Sequence, residues 1–465
     1  MTSVPNLRQP LSGSKAIAIG LALIMLYACK SSRQLSTKPP ADSAPPPKEE
    51  MVTQYDPVKD TIVLVPRSTI KVDTIKWTED KTPPIVSDEP QEPIKPSRNE
   101  LAQIALLIPF NAKQADFLSE HQDPKLNRFI QYYSGINMAL RKIDSLGLNV
   151  KVNSFDAEGS GTSIPQLIAK EELKKADVIV GPYDREDVEA LASFGLTHEV
   201  MVVSPWLPAF TNETENPFLI QMFPGLNTHA QAIMEFIREE MPDKKVYVVS
   251  RDNAVELNRV QLFKKIPGVM AEELLIKDKS PDLLNTNVTD LLSDDNGTIF
   301  ILPYFSKTDE TFVNSFLRKL HADTTAREAI VFGLPQWTGY TNLNPNYMES
   351  LNVHLSTSSF LDVSDPEYQD FRTRFFYRYH VMPDLNAFLG YDLMMWLARQ
   401  LTTYGQDGLI GYMDGTSYGF ASGFDIRPVY KSTTGSTAEM KTPLYYENRR
   451  IRIIRFVHQD FKLVR

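Results

Sequence analysis

The 465-residue sequence predicts an α/β body built on parallel sheets, preceded by a signal-like segment and a Pro-rich tether. Three observations lead there. A thirteen-residue apolar run, Ala16–Ala28, ends at the chain's one cysteine, Cys29. Twelve of the 32 prolines fall between Pro39 and Pro96. From Leu101 onward, short apolar runs alternate with stretches of helical periodicity, and this happens twice, which is the pattern of parallel strands joined by helical crossovers.

Ala16–Ala28 carries no charge and follows Arg8 and Lys15 with no acid before it. It falls short of the roughly 20 residues needed to span a bilayer core and has the length of a signal-peptide apolar region. Leu26-Tyr27-Ala28-Cys29 resembles a bacterial lipobox, so residues 1–28 are expected as a lipoprotein signal peptide and Cys29 as the lipidated residue, palmitate included. Several acyl chains on one cysteine suffice for stable membrane attachment. Lys30 after the cysteine, with no Asp there, points to an outer-membrane destination facing the periplasm. Residues 29–98 are then a lipid-anchored tether, disordered and extended by proline. Two β-like pieces, Asp60–Val65 and Ile70–Trp77, interrupt it as a possible hairpin. A net charge of −9 argues against a nucleic-acid binder, and a single cysteine rules out an intrachain disulfide or a multi-cysteine zinc site.

In the body, Leu101–Phe110 is the near-continuous apolar run of a strand buried on both faces. Apolar positions from Phe129 to Ile143 space a helix over Arg128–Leu146, ended by Gly147. Strands follow at Val150–Phe155, Asp177–Val180 and Val200–Ser204, with helices at Ile164–Lys175 and Asp184–Phe194 between them. A second run has strands at Phe218–Met222, Lys245–Ser250, Val269–Ile276, Thr298–Pro303 and Ala329–Phe332. Its helices are expected at Thr228–Glu240, Ala254–Lys265, Pro281–Leu292 and Thr308–Leu320. Val353–Ser356, helices over Pro366–Tyr379 and Asn386–Tyr404, and a strand pair in Arg450–Arg465 close the chain.

Five segments in this order carry a resemblance: Tyr133-Ser134-Gly135-Ile136-Asn137-Met138-Ala139, Val178-Ile179-Val180-Gly181-Pro182, Val203-Ser204-Pro205, Val331-Phe332-Gly333-Leu334-Pro335 and Gly390-Tyr391-Asp392. Together with Pro366–Tyr379 they make residues 99–465 resemble the type I periplasmic solute-binding family of leucine/isoleucine/valine-binding proteins. The resemblance implies two Rossmann-like lobes joined by three crossing strands, with ligand in the cleft. Lobe one would be about 101–221 and 336–425, and lobe two about 222–335 and 426–465. It also implies an amino-acid-like solute, no cofactor, and a transporter as partner. Activators of penicillin-binding proteins, which are outer-membrane lipoproteins, have a similar arrangement. They imply the alternative of a regulatory body acting on a peptidoglycan synthesis enzyme.

Open parallel sheets bind ligands at the carboxyl ends of their strands. The candidates there are Tyr183, Asp184, Arg185, Ser204, Trp206, Tyr304, Gln336 and Trp337. The hydroxyl residues that amino-acid binders place after the Gly-Pro are replaced by Tyr183-Asp184-Arg185. Arg185 can grip a carboxylate or pair with Glu189 on its own helix. Trp206 and Trp337 can stack on a ligand or fill the cleft.

Enzyme signatures are weak. Gly415-Thr416-Ser417-Tyr418-Gly419 fits G-x-S-x-G but sits in Gly/Ser-rich loop sequence, where a nucleophile elbow needs a strand before it and a helix after it. No Walker motif occurs, and the seven histidines have no metal-ligand spacing. The expected function is therefore a non-enzymatic envelope lipoprotein that binds a small solute.

Overall fold

The computed structural model describes residues 51–56, 61–66, 101–112, 124–157, 163–210, 214–280, 283, 285–292, 296–323, 328–410, 419–431 and 442–465. Cys29 and the signal-like run lie outside them, as do Ile70–Trp77 and Gly415–Tyr418. The chain forms two units, Met1–Glu89 and Pro90–Arg465. In the first, strand β1 (Met51–Asp56) pairs antiparallel with β2 (Thr61–Pro66). The β-like piece at 60–65 is thus a strand whose partner precedes it, in a stretch read from composition as tether.

The second unit opens with five strands, β3 (Ala102–Ile108), β4 (Val150–Asp156), β5 (Val178–Val180), β6 (Met201–Pro208) and β7 (Leu219–Phe223). Five more follow: β8 (Lys245–Arg251), β9 (Ala271–Ile276), β10 (Thr298–Ile301), β11 (Ala329–Gly333) and β12 (His354–Thr357). The chain then adds β13 (Ile426–Val429), β14 (Tyr445–Asn448), β15 (Arg452–Val457) and β16 (Asp460–Leu463). They assemble as two sheets ordered β13-β14-β7-β6-β5-β3-β4 and β16-β15-β12-β11-β10-β8-β9. Each sheet is parallel except at one end, where β13 pairs antiparallel with β14 in the first and β15 pairs antiparallel with both β12 and β16 in the second.

Among the described residues, the longer helices that cover the sheets are α1 (Pro124–Ser145), α2 (Arg185–His198), α3 (Leu226–Glu240), α4 (Ala254–Lys264), α5 (Glu310–Asp323), α6 (Pro366–Tyr379) and α7 (Leu385–Tyr404). Strand periodicity feeds both faces. Ile104, Leu106 and Ile108 of β3 point into the core under α1 and α7, and Ala105 and Leu107 into the core under α2. In lobe two, Ile299 and Ile301 face α3 and α4, while Phe300 faces α5.

Two parallel-sheet α/β lobes are therefore present, but three local expectations differ. Pro281–Leu292 contains one 3₁₀ turn, Thr289–Leu291, among its described residues in place of a helix. Ile164–Lys175 breaks into two short helices, Ile164–Ile168 and Glu171–Lys174. The chain crosses between lobes after β7, after β12 and after β14, so His354–Thr357 belongs to lobe two and Ile426–Val429 and Tyr445–Asn448 to lobe one. The boundaries near 336 and 425 come from the family resemblance, whereas sheet membership is set by pairing between residues far apart in sequence.

Lobe one is assembled from two distant stretches, and two glycines join them. A Cβ on Gly135 of α1 would fall 1.8 Å from the Ala387 carbonyl oxygen of α7. A Cβ on Gly390 of α7 would fall 2.2 Å from the Tyr132 carbonyl oxygen of α1. Backbone blocks both, so no side chain can rotate away. We expect Gly135→Ala and Gly390→Ala each to destabilise the body by about 2 kcal/mol or more, the overpacking range. The readout is a lower urea midpoint at unchanged slope, with the double variant losing less than the sum because both substitutions open one contact.

Candidate functional site

The lobes meet over a crevice of about 530 Å³. Its floor is crossing chain, Phe223, Pro224 and Thr357–Leu361, and its walls come from both lobes: Pro208 and Leu385 on one side, Leu226, Phe305 and Leu334 on the other. Most of the lining is aliphatic, aromatic or proline. Polar groups come from His229, Gln336, Thr338, Thr357, Ser358 and Ser359, and among the described residues no Asp, Glu, Lys or Arg lines it. A small annex of about 30 Å³ shares Phe223, Ser358 and Ser359 with the crevice and is bounded by Tyr132, Ser422 and Asn448.

Charge is present in the walls but turned inward. Arg251, ending β8, donates to Glu256 through Nε at 2.7 Å and to Asp309 through a terminal nitrogen at 2.6 Å. Its guanidinium also lies over the Tyr304 and Phe312 rings, 4.9 Å from each centroid. The Tyr304 hydroxyl donates to Glu256 at 2.9 Å. Burial works against the Glu256 carboxylate, but hydrogen bonds from Arg251, Asn253 and Tyr304 prevail and hold its pKa below the usual value. The α3 N-terminus is occupied too: buried Glu447 accepts from Gly225 N–H and from the Thr228 hydroxyl, both at 2.8 Å. Asp384 caps α7 by accepting from Asn386 N–H at 2.8 Å and Ala387 N–H at 3.3 Å.

The crossings are tied by a second buried group. Asp392, fully buried in α7, accepts from the N–H groups of Phe420, Ala421 and Ser422 at 2.8, 2.7 and 2.8 Å. A Cβ on Gly419 would overlap that carboxylate. The loop so held takes Phe360 N–H on the Ala421 carbonyl at 3.0 Å. Arg452 of the third crossing donates to the Ala421 and Phe360 carbonyls at 2.8 and 3.1 Å. Lobe one, the second crossing and the third crossing are thus held at one point.

Of the sequence candidates, Gln336 lines the crevice. Tyr304 and Trp337 do not: both are core residues of lobe two, and the Trp337 indole N–H donates to the Tyr304 carbonyl at 2.9 Å. Arg185 bonds Glu189 at 2.8 Å and lies over the Phe210 ring, so the intrahelical pairing is the arrangement found. Asp184 is the exposed N-cap of α2. Ser204 is fully buried. Trp206 sits where β6 carries two extra residues against β7 between Ser204 and Pro208, an irregularity that redirects side chains. Its ring packs on Phe129 and Tyr132 at 5.0 and 4.7 Å, with Tyr183 against Phe129 at 5.4 Å. These aromatics pack lobe one's strand ends and do not line the crevice.

Residues 136–407 match the family described as "Receptor family ligand binding region". The chain belongs to that family. Among solved structures, it is similar to a putative branched-chain amino acid ABC transporter protein from Rhodospirillum rubrum, at 15% identity and TM-score 0.53, over 78% of this chain and 100% of that one. It is also similar to full-length LpoA from Haemophilus influenzae, at 16% identity and TM-score 0.51, over 78% of this chain and 59% of LpoA. The LpoA C-domain from Haemophilus influenzae, a regulator of PBP1A, is matched over its whole length at 16% identity and TM-score 0.51. These identities carry the shared fold and nothing finer. No curated protein sequence matches the chain. Among the described residues, no helix is long and apolar enough to cross a membrane, and no acid, histidine or cysteine cluster could hold a metal.

Sequence reasoning missed Asp392, Glu447 and His229. Asp392 stands inside the family-like Gly390-Tyr391-Asp392, so a signal existed. Glu447 and His229 have no local signature, because their partners lie over a hundred positions away.

Burial lowers both His229 and His354 to about 4. In the folded state they stay neutral where the unfolded chain, titrating near 6.5, takes up protons. Their contribution is present above pH 6.5 and lost as pH falls through about 4. Burial raises Asp392 to about 6 against its three N–H donors. That contribution is present below about 3.8 and lost as pH rises through about 6. Two groups oppose one, so urea midpoints should fall between pH 6.5 and 4.5. His229→Gln should flatten that slope and Asp392→Asn should steepen it.

Proposed function

We propose that the protein is a non-enzymatic binding protein of the cell envelope, lipid-anchored through Cys29, whose interlobe crevice holds a small solute. The crevice itself carries the reading: about 530 Å³ between two lobes, at strand ends and over the crossings, within the 300–1,000 Å³ usual for small-molecule sites. Family membership and the fold shared with a branched-chain amino acid transport protein support it. The signal-like run ending at Cys29, followed by a Pro-rich stretch, supports an anchor and tether that hold the body on the periplasmic side of the outer membrane. Hinge movement would open and close the site, with the Asp392–Arg452 knot as its pivot.

A second reading, regulation of a peptidoglycan synthesis enzyme through a protein contact, has an observation of its own. Phe376, Tyr377, Val381 and Met382 are exposed at and beyond the end of α6, and Arg141, Lys142 and Arg378 line a neighbouring groove with Tyr377. Aromatic, Met and Arg side chains are the types enriched at protein interfaces. The LpoA likeness is compatible with this use of the fold.

A thermal-shift screen of the full chain against amino acids, short peptides and muropeptides separates the readings. A solute present at about 100 times its Kd should add about 2.7 kcal/mol of stability, and Thr338→Trp, placed on the crevice wall, should abolish that shift. A flat screen with recovery of a cell-wall enzyme by crosslinking favours the second reading. For the anchor, Cys29→Ser should move the protein from the membrane fraction to the soluble fraction and remove labelled palmitate incorporation.

A further inference from the structure

Among the described residues, the crevice lining offers a free amino acid no charged side chain to hold. Taking an ammonium or a carboxylate out of water costs several kcal/mol per ion unless a charge or several hydrogen bonds replace the water. Proteins meet a carboxylate with an arginine or with a helix N-terminus. Three such devices in the two lobes already hold the protein's own carboxylates, and two arginines next to crevice-lining rings, Arg259 and Arg452, donate to backbone carbonyls of Pro303, Phe360 and Ala421. Arg251 at the end of β8 holds Glu256 and Asp309. The α3 N-terminus, whose Leu226 lines the crevice, holds Glu447. The α7 N-terminus, whose Leu385 lines the opposite wall, holds Asp384. An incoming carboxylate would have to displace a buried or capping acid to use any of these three.

What remains open is apolar surface with neutral hydrogen-bonding groups. The rings of Phe223, Phe305 and Phe360 and the side chains of Leu226, Leu334 and Leu385 suit an aliphatic or aromatic body. Gln336, Ser358 and Ser359 suit an amide or a hydroxyl, and the Thr338 hydroxyl, which donates to the Pro335 carbonyl at 2.8 Å, can still accept from one. The annex deepens this preference. Tyr132 bounds it, and the Tyr132 hydroxyl is buried with no hydrogen-bond partner among the described residues. Its volume of about 30 Å³ suits one small polar group.

We infer that the crevice selects an uncharged, largely apolar small molecule carrying a neutral amide or hydroxyl, and excludes the free zwitterionic amino acid. This rests on the crevice being the binding site, as proposed above, and narrows its ligand class.

The test uses the full chain and two matched probe sets: L-leucine and L-phenylalanine, and the same residues as N-acetyl amides, in which both charges are removed. N-phenyl-1-naphthylamine, an uncharged fluorophore, reports occupancy. The expected result is a saturable rise in fluorescence, competed by the N-acetyl amides and at least tenfold less by the free amino acids. Gln336→Trp and Thr338→Trp change exposed wall positions, so folding is not at stake, and each should weaken probe binding at least tenfold. Competition by the free amino acids equal to or better than the amides, still lost in the Trp variants, overturns the ligand class and leaves the crevice as the site. Probe binding unchanged in both Trp variants, or no binding of any probe, overturns the crevice reading and the inference with it.

Discussion

The contact between α1 and α7 is the constraint on which lobe one depends. These helices come from stretches some 250 residues apart, and they meet where Gly135 and Gly390 bring each backbone against the other. Nothing larger than hydrogen fits there. The close approach puts Phe129, Tyr132 and Ile136 into the same core as Trp396, Leu397 and Leu401. It also fixes the depth of Asp392, one residue-pair beyond Gly390, so that its carboxylate reaches the loop at 420–422. From that loop the order passes to Phe360 and Arg452, which belong to two of the three crossings. A packing requirement inside one lobe is thereby transmitted to the hinge, and the hinge sets the crevice.

The treatment of charge follows a single logic. Buried carboxylates are tolerated where backbone N–H groups or an arginine meet them. Glu256, Asp309, Glu447 and Asp392 all satisfy that condition inside the protein. The consequence for function is that devices able to bind an anion are used for architecture. The crevice is left with aromatic rings, aliphatic side chains, hydroxyls and an amide. The fold is shared with a putative branched-chain amino acid ABC transporter protein and with LpoA, and a shared fold does not fix the chemistry of its cleft.

Much of the architecture could be read directly. β3 is a strand buried on both faces, and its apolar run says so. The helices α1, α3 and α7 follow from apolar spacing, and β15 and β16 from alternation near the end. The site was far less legible. Tyr304 and Trp337 stand after strands, where ligands usually bind, yet a hydrogen bond between them and a close fit of Trp337 against Gly333 place them in the core. Position along a strand does not tell which way a ring turns. Arg185 was readable in either of two ways, and only the geometry shows it on Glu189.

The sequence by itself determined most of the elements, the parallel α/β class, and the family resemblance, because periodicity and glycine positions are local properties written along the chain. Tertiary structure alone decided where the chain crosses between lobes, which residues line the crevice, and that none of the described lining residues is an Asp, Glu, Lys or Arg. Those are facts of pairing between distant residues. Glu447 reaches Thr228 across 219 positions and Arg452 reaches Phe360 across 92, and no window on the sequence contains both partners.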